Sequence, residues 1–311
     1  MLLVPHLFPG LLRTRLTEEV GAEGFSVARR ASAARLGLDL VWYPWNGMTW
    51  IAPGRRVATV HDVWPFASPS ADPRIRRNEQ APFLQTAANA DRIVADSAFT
   101  KSEIIRLLSV DAGKIDVVHL GVDVDLASAV APASPPPGLK RYALFVGEAE
   151  PRKDLATLLS AMAQLPDDVR HATGLVVAGR ATPDAQARSF SVTYEGEVGD
   201  ERLGALYAGA AAFVFPSTYE GFGLPVLEAM AFGAPVIASN AASVPEAGGD
   251  AALYFRAGDS SALARAIAEV LSDERLAATL RAAGKQRAAH MTSRRTADQT
   301  LEIFQKMISR G

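Results

Sequence analysis

The stretch from Ala211 to Ser239, AAFVFPSTYEGFGLPVLEAMAFGAPVIAS, decides the fold. Its first apolar run, AAFVFPS, is followed by a helical run that is expected to begin at Pro225 and then by a second apolar run, APVIAS. Short apolar strands on either side of a helix are typical of a βαβ unit, in which the two strands lie parallel in one sheet. The stretch therefore predicts a parallel sheet covered by helices.

The same alternation of strand-like and helical runs extends over most of the chain. RIVADS, AFTKSEIIRLL and KIDVVHLGVD follow one another, and the pattern restarts later at RYALFVG. Between these two parts lies 131–138, APASPPPG, whose four prolines cannot donate the backbone hydrogen bonds of helices and sheets. We predict two doubly wound α/β domains at 1–130 and 139–290, a linker at 131–138 and a C-terminal helix at 291–311.

The first domain is predicted to be incomplete. Ahead of LDLVWYPWN and RVATVHD the sequence has one helix-like run, TEEVGAEGFSVARRAS, and no opening strand stands out in front of it. A doubly wound domain is expected to begin with a strand whose carboxyl end helps to form the ligand site. The side of the first domain is therefore the less complete side of any site between the two domains.

The composition argues against several classes of protein. The 32 Lys and Arg residues are balanced by 34 Asp and Glu residues, so nucleic acid is not an expected partner. The chain has no cysteine, which excludes disulfides, thiolate catalysis and Cys-based zinc sites and suits a cytoplasmic location. No apolar run approaches the roughly 18 residues of a membrane helix, so membrane contact is expected to be peripheral at most. P-loop, GxSxG, HExxH and strand-linked GxGxxG motifs are also missing.

Ligands of doubly wound sheets bind at the carboxyl ends of the strands, and two cations follow one such end. Gly147 closes the run ALFVG, and Arg152 and Lys153 come just before a helix that is expected to start near Asp154. Two cations beside a helix N-terminus, whose free amides also favour anions, are suited to a diphosphate. The alternative is a solvated pair of charges at a helix start.

Two carboxylates flank the glycines of the opening stretch. Glu220 is expected at the strand exit and Glu228 in the first turn of the following helix, so that both point into one pocket. Carboxylates accept hydrogen bonds from hydroxyl groups, and backbone amides bind phosphate oxygens, so the loop suits a sugar nucleotide. Alternatively, Glu228 only stabilises the helix N-terminus and Glu220 is solvated.

Three further sets of charged residues follow the carboxyl ends of predicted strands. His61, next to Asp62, can donate a hydrogen bond to a sugar, although a lone histidine is more often structural. Glu246 is expected at a helix start on the floor of the same pocket, or in a plain capping turn. Asp123 and Asp125 are more simply interpreted as a turn than as a metal site.

Three long segments together resemble the retaining glycosyltransferases of family four, which have the GT-B fold. They are GEAEPRKDL, ADRIVADSAFTKSEIIRLLSVDAGKIDVVHLGVD and the segment from EGEVGDERLG to GGDAALYF, and they cover most of the chain from about Val57 to Phe255. TVHDVWPF resembles the mannosyltransferase-like branch. The resemblance implies two Rossmann-like domains that face each other across a cleft. It also implies a nucleotide-diphospho-sugar donor and no metal cofactor.

The resemblance implies roles for single residues. Arg152 and Lys153 correspond to the cationic pair on the donor diphosphate, Glu220 to the residue beside the transferred sugar, and Glu228 to the one on the ribose. His61 would approach the donor sugar from the first domain. The implied catalytic residues are Arg152, Lys153, Glu220 and His61, and the implied donor-binding residues are Gly147, Arg152, Lys153, Val198, Phe222, Gly223, Leu224 and Glu228.

The resemblance implies retaining transfer of a hexose, with mannose favoured, to a glycan or lipid-linked acceptor in surface polysaccharide biosynthesis. A protein that binds sugar nucleotides without catalysis, and a GT-B phosphorylase or epimerase, are the alternatives. Arg74, Arg76 and Arg77 could meet an anionic lipid or the inner face of a membrane, but a solvated helix face is the simpler interpretation.

Overall fold

A computed structural model describes residues 2–4, 27–124, 130–148, 150–181 and 189–309. In these ranges the strands form a two-stranded, a four-stranded and a six-stranded sheet, and every strand pair is parallel. The two larger sheets lie on opposite sides of the proline-rich segment in the sequence. None of the described helices is long and apolar enough to cross a membrane.

The four-stranded sheet belongs to the first half of the chain. Its strands are adjacent in sequence order: β3 (Leu40–Tyr43), β4 (Arg55–Val60), β5 (Arg92–Ala95) and β6 (Ile115–Val117). The helices of this half are α1 (Trp64–Ala67), α2 (Pro73–Asn89) and α3 (Ala98–Leu108), with a 3-10 turn at Ala112–Lys114.

The start of the chain differs from the expectation. A strand is present, β1 (Leu2–Val4), and it pairs with β2 (Val27–Arg29) in a sheet of its own. Its three residues are followed by a proline, which leaves too short a run to be recognised in the sequence. The helix expected over TEEVGAEGFSVARRAS is not seen in its second part, where β2 leads into a 3-10 helix at Arg30–Arg35; its first part, 17–26, lies outside the described residues.

The six-stranded sheet belongs to the second half and has the order β12-β11-β10-β7-β8-β9. Its strands are β7 (Arg141–Val146), β8 (Thr173–Ala178), β9 (Val192–Gly196), β10 (Ala212–Phe215), β11 (Val236–Ser239) and β12 (Ala252–Phe255). The chain builds outward from β7 in one direction and from β10 in the other. The boundary between β7 and β10 is therefore the topological switch point, where doubly wound sheets bind ligands.

Helices cover both faces of this sheet. They are α4 (Leu155–Ala163), α5 (Asp167–Ala172), α6 (Asp200–Gly209), α7 (Leu224–Ala231), α8 (Val244–Gly248), α9 (Ser260–Ser272) and α10 (Glu274–His290), with 3-10 turns at Pro151–Lys153 and Gly249–Ala251. Along β7, Tyr142 and Leu144 are buried in one core and Ala143 and Phe145 in the other. Burial on both faces explains why these strands are continuous apolar runs in the sequence.

The chain connects the two halves twice. Residues 131–138 form neither helix nor strand and are anchored by Ala133, whose N–H donates to Ala205 O at 2.8 Å. Helix α10 ends at His290, and after Met291 and Thr292 the helix α11 (Ser293–Ser309) lies within the range 291–311 that was predicted for a C-terminal helix. Helix α11 returns to the first half, where the ring of Phe304 lies 5.5 Å from that of Trp42.

Candidate active site

Two cations and a carboxylate meet at the switch point. Arg152 and Lys153 end the turn that follows β7, and Glu220 lies in the loop that follows β10, the neighbouring strand. Arg152 Nη1 lies 3.1 Å from Glu220 Oε2, and Lys153 Nζ lies 2.7 Å from Glu220 Oε1. All three side chains are largely buried, at 19%, 13% and 9% exposure. The strand order therefore unites groups that are about seventy residues apart in sequence.

Arg152 and Lys153 each have a further attractive neighbour besides Glu220. Arg152 Nε also contacts Glu150 Oε2 at 2.6 Å. Burial alone would lower the pKa of Arg152, but the carboxylates of Glu220 and Glu150 outweigh this and raise it. The Lys153 ammonium lies 5.4 Å from the centre of the Phe215 ring, a second attractive neighbour. The two cations thus share one carboxylate, which lies where an anionic ligand could bind.

The loop that carries Glu220 lies between the two halves of the molecule. Tyr219 packs on Trp64 at 5.1 Å and on Phe99 at 5.5 Å, both from the first half. A Cβ atom on Gly221 would lie 1.8 Å from the carbonyl oxygen of His61. A glycine is required at this position because the backbones of the two halves approach so closely.

Phe222 and Gly223 shape the end of this loop. The buried Phe222 ring stacks on His119 of the first half at 5.6 Å. Gly223 has φ +105° and is the N-cap of α7, which begins at Leu224, one residue before the expected start at Pro225. No side chain among the described residues caps this helix start, so its first amides do not have a side-chain acceptor from the N-cap residue.

The prediction that Glu228 lies in the first turn of this helix is wrong. Because α7 begins at Leu224, Glu228 is its fifth residue, one turn further in. Its Oε2 accepts a hydrogen bond from the Tyr207 hydroxyl at 2.9 Å, whereas Glu220 contacts the cations. Burial raises the pKa of Glu228, and the hydrogen bond from Tyr207 only partly opposes the shift. The two glutamates therefore have different partners in the protein.

His61 lies at the end of β4 and is bonded on both ring nitrogens. Nδ1 lies 2.7 Å from Oδ2 of the buried Asp96, and Nε2 lies 2.9 Å from Pro44 O. The hydrogen bond to Asp96 raises the pKa of His61, more than burial lowers it. An imidazole between two acceptors is fully satisfied only when it is protonated. To bind a donor sugar through Nε2, His61 would have to exchange its bond to Pro44.

A glycine directly follows each of the neighbouring strands β7 and β8. Gly147 follows β7 with φ +155°, and its N–H donates to Ala178 O at 2.9 Å. A Cβ atom on Gly179, which has φ +116°, would lie 2.3 Å from Gly147 O. Val198 is partly buried against the core beside this edge. The backbones that follow β7 and β8 therefore lie in close contact at this edge.

A cavity of about 600 Å³ adjoins the loop on the side of the first half. It lies between the carboxyl ends of the four-stranded sheet and helix α11, and it is mostly apolar. Arg152 and Lys153 are not among the described residues that line it. The main side chains around it are Trp42, Trp45, His61, Leu224, Leu301 and Phe304.

Two family models match consecutive parts of the chain. The model of Glycosyl transferases group 1 matches residues 130–287, and that of Glycosyltransferase Family 4 matches residues 8–126. The chain belongs to the glycosyl transferases group 1 family. The match includes the cationic pair, the loop with Glu220 and helix α7.

Several curated relatives of this glycosyl transferases group 1 chain are named for their activity. It is 36% identical over 223 residues to the O-antigen chain mannosyltransferase B of Escherichia coli, covering 65% of this chain and 58% of the relative. It is 34% identical over 161 residues to the D-inositol 3-phosphate glycosyltransferase of Mycolicibacterium gilvum (strain PYR-GCK), covering 47% of this chain and 36% of that protein.

Solved structures show the same fold. Sucrose-phosphate synthase from Thermosynechococcus elongatus superposes with a TM-score of 0.72 at 23% identity, over 91% of this chain and 77% of that one. WaaG, a glycosyltransferase involved in lipopolysaccharide biosynthesis, gives 0.73 at 16% identity, over 97% and 98%. HepE of Anabaena, solved with UDP and glucose, gives 0.72 at 19% identity, over 96% and 89%. The fold is GT-B, with two Rossmann-like domains.

Two residues that bond to predicted site residues, Asp96 and Tyr207, were not predicted from the sequence. Asp96 directly follows β5, so the same search of strand ends that found His61 could have found it. Tyr207 lies inside helix α6 and carries no comparable signal. Glu246, expected on the floor of the pocket, is instead bonded to the backbone of Ala98 and Phe99 in the other domain.

The structure does not test the expectation of a metal-independent site. Among the described residues, no group of three or more His, Asp or Glu side chains is placed to hold a metal ion. The turn predicted at Asp123 and Asp125 lies partly outside the described residues, which end at 124 in this part of the chain. Metal independence stays a prediction.

Proposed function

We propose that this chain is a retaining glycosyltransferase that moves a hexose, with mannose favoured, from a nucleotide-diphospho-sugar to a glycan or lipid-linked acceptor. The convergence of Arg152 and Lys153 on Glu220 at the switch point carries the proposal. Two buried cations there are suited to a diphosphate. The family and the O-antigen mannosyltransferase relatives support a role in surface polysaccharide biosynthesis.

The cations are proposed to bind the donor diphosphate and to stabilise it as it leaves. When phosphate oxygens bind Arg152 and Lys153, they take the place of the Glu220 carboxylate, which then turns to the hydroxyl groups of the sugar. The amides of Gly223 and Leu224, at the start of α7, are proposed to contact the same phosphates. Electrostatic stabilisation of this kind is usually the largest contribution to such catalysis.

The transfer step exchanges one bond at the anomeric carbon for another. The bond from this carbon to the diphosphate oxygen breaks, and a bond to the acceptor oxygen forms on the same face. The acceptor hydroxyl passes its proton to the departing diphosphate, which leaves as a nucleoside diphosphate. The chain's own residues bind and orient the donor, and no divalent ion is needed to balance the charge.

The nucleoside is proposed to bind at the carboxyl ends of β7 and β8, beside Gly147 and Gly179. Glu228, held by Tyr207, would accept hydrogen bonds from the ribose hydroxyls. Gly147 leaves room for the donor, and Val198 lies where the base is expected. Phe222 is buried, so its contribution to the donor is proposed to come from its backbone.

The acceptor is proposed to bind in the cavity beside His61. Trp42, Trp45 and Phe304 give this space an aromatic wall, and Trp45 is 80% exposed. Such a wall suits an acceptor with an apolar part next to its sugar, which favours the lipid-linked option. Contact with a membrane, through the Arg74 to Arg77 segment of α2, and a cytoplasmic location stay predictions.

A transfer assay tests the proposal. The chain is incubated without metal with GDP-, UDP- and ADP-sugars and with glycan or alkyl-glycoside acceptors, and the anomeric configuration of the product is read by NMR. We expect one donor to give a product of retained configuration. Binding without turnover would favour the binding protein, dependence on inorganic phosphate the phosphorylase, and interconversion of sugars without acceptor the epimerase.

A further inference from the structure

Helix α3 begins at the surface where the two domains meet, and its first amides are bonded from both sides. Ala98 N and Phe99 N donate to Oε2 and Oε1 of Glu246, at 2.7 and 2.8 Å. Ser97 accepts from the next two amides of the helix. A carboxylate of the second domain therefore caps a helix of the first, at the end where the helix dipole favours a negative charge.

Glu246 is rigidly placed in its own domain. Arg287 of α10 donates from Nη2 to Glu246 O at 2.5 Å and from Nε to Ala247 O at 3.1 Å. His119 of the first domain adds a third contact to the carboxylate, from Nε2 at 3.2 Å. Burial raises the pKa of Glu246, but the bonds from His119 and the two amides outweigh this and lower it. The carboxylate is thus charged and bonded across the interface.

The same turn of α3 is bonded to the loop that carries Glu220. Ser97 Oγ and Thr100 Oγ1 donate to Gly221 O at 2.6 and 2.9 Å. On the other side, Ser243 Oγ donates to Glu220 O at 2.8 Å, and Ser243 immediately precedes the helix of Glu246. The helix start, the loop and the helix of the carboxylate therefore form one continuous hydrogen-bonded contact between the domains.

We propose that Glu246 is a positioning residue that holds the two domains closed on the loop of Glu220 during transfer. The inference rests on the proposed function. Without the carboxylate, Ala98 and Phe99 lose their acceptors, the start of α3 separates from the second domain, and Gly221 loses its neighbours. An open cleft admits water, which then competes with the acceptor for the sugar.

The test compares Glu246→Gln with the wild type. The carboxamide keeps the size of the side chain but offers one oxygen, and its NH₂ group cannot accept from an amide. We expect hydrogen exchange at Ala98 and Phe99 in the ligand-free protein to accelerate about tenfold or more. The ratio of transfer to hydrolysis should fall by a similar factor, while nucleotide affinity, set within the second domain, stays at the wild-type value.

Two further variants complete the design. Glu269→Gln, at an exposed position of α9, removes one negative charge far from the interface and should change none of the three measurements. Glu246→Asp keeps the charge but is one methylene shorter, so it should fall between the wild type and Glu246→Gln. If Glu246→Gln does not fold, Glu246→Asp is tested by the same measurements with the same expected directions.

The outcomes separate this inference from the proposed function. Unchanged exchange at both amides would overturn the interdomain contact, whether or not the chain transfers sugar. Faster exchange with an unchanged ratio of transfer to hydrolysis would overturn its role in the reaction. A wild type that binds no nucleotide sugar would refute the proposed function, and with it the positioning role, while the exchange result would still decide the contact.

Discussion

Glu220 and Glu228 are eight residues apart in the sequence and have different partners in the structure. Glu220 contacts two cations, whereas Glu228 is bonded to a tyrosine and has its pKa raised by burial. A carboxylate that faces cations can be displaced from them by a ligand anion. A carboxylate held by a neutral donor in a buried setting is suited to hydroxyl groups instead.

The two glutamates should therefore respond differently to truncation. Glu228→Ala removes an acceptor for the ribose, and we expect nucleotide affinity to fall about tenfold or more. Glu220→Ala frees Arg152 and Lys153, so affinity should hold while turnover falls about 10²–10³-fold. Calorimetry and a turnover assay on both variants make the comparison. If both variants kept wild-type binding and turnover, the assignment of the pocket would be wrong.

The pair of His61 and Asp96 predicts a pH dependence. A raised folded pKa means that the charged His61 stabilises the protein fully below the ordinary imidazole value of 6.5 and that this contribution is lost as pH rises through the folded value. Asp96→Asn replaces the carboxylate that accepts from His61 by a neutral amide, which weakens the largest cause of the shift. We expect NMR titration to show a pKa above 6.5 in the wild type and a lower one in Asp96→Asn.

Asp168→Asn, which removes an exposed carboxylate from helix α5 of the other domain, is the control and should leave the pKa of His61 at its wild-type value. An unchanged pKa of His61 in Asp96→Asn would contradict the account, as would a free energy of unfolding that rises with pH through the titration of His61 in the wild type.

The residue types of the candidate site could be predicted from the sequence, but their partners could not. Arg152, Lys153 and Glu220 follow strand ends, which the apolar runs make visible. Tyr207 becomes a partner of Glu228 only because α6 packs beside α7, a relation between elements that no local pattern encodes.

At the scale of elements, the loop between β10 and α7 depends on Gly221. A methyl group there would meet the carbonyl of His61 at 1.8 Å, so Gly221→Ala must push the domains apart. We expect transfer to be lost and nucleotide binding in the second domain to remain, as measured by turnover and calorimetry. Gly113→Ala, whose methyl group would lie 3.5 Å from Asp111, is the matched control. Wild-type transfer in Gly221→Ala would contradict the close approach.

Long elements were predicted better than short ones. The run AFTKSEIIRLL coincides with α3, because Ser97 caps its start and Ser109, at φ +53°, ends it. Helix α7 begins one residue earlier than expected, which moves Glu228 out of the first turn. The C-terminal helix predicted from residue 291 is seen as α11, which begins at Ser293. Met291 and Thr292 separate it from α10, and at this break Val122 N donates to Met291 O and Ser293 N donates to Val122 O.

At the scale of the whole molecule, α11 ties the second domain back to the first. Ile303, 8% exposed, packs with Val57, Val94 and Val118 on the face of the four-stranded sheet. Ile303→Ala should therefore lower the free energy of unfolding by about 2 kcal/mol or more. Leu301→Ala, at a 51% exposed position of the same helix, should cost less than about 1 kcal/mol. Equal losses in denaturant unfolding would contradict this packing.

The relation between the domains was the least predictable feature. The sequence indicated two α/β domains and a proline-rich segment between them. It could not show that Glu246 caps a helix of the other domain or that α11 returns across the cleft, because these contacts join residues more than a hundred positions apart. Such contacts form only when the two folded domains pack against each other. The hydrophobic periodicity of the sequence predicts only the helices and strands within each domain.

Calorimetric titration of the chain with GDP-, UDP- and ADP-sugars, without metal, tests the central claim most directly. We predict saturable binding of at least one donor, and a loss of about tenfold or more in affinity when Arg152 and Lys153 are both changed to alanine. The double variant Arg294→Ala/Lys306→Ala removes an arginine and a lysine from exposed positions of α11 and should bind like the wild type. Equal affinity in all three proteins, or no binding by the wild type, would contradict the account.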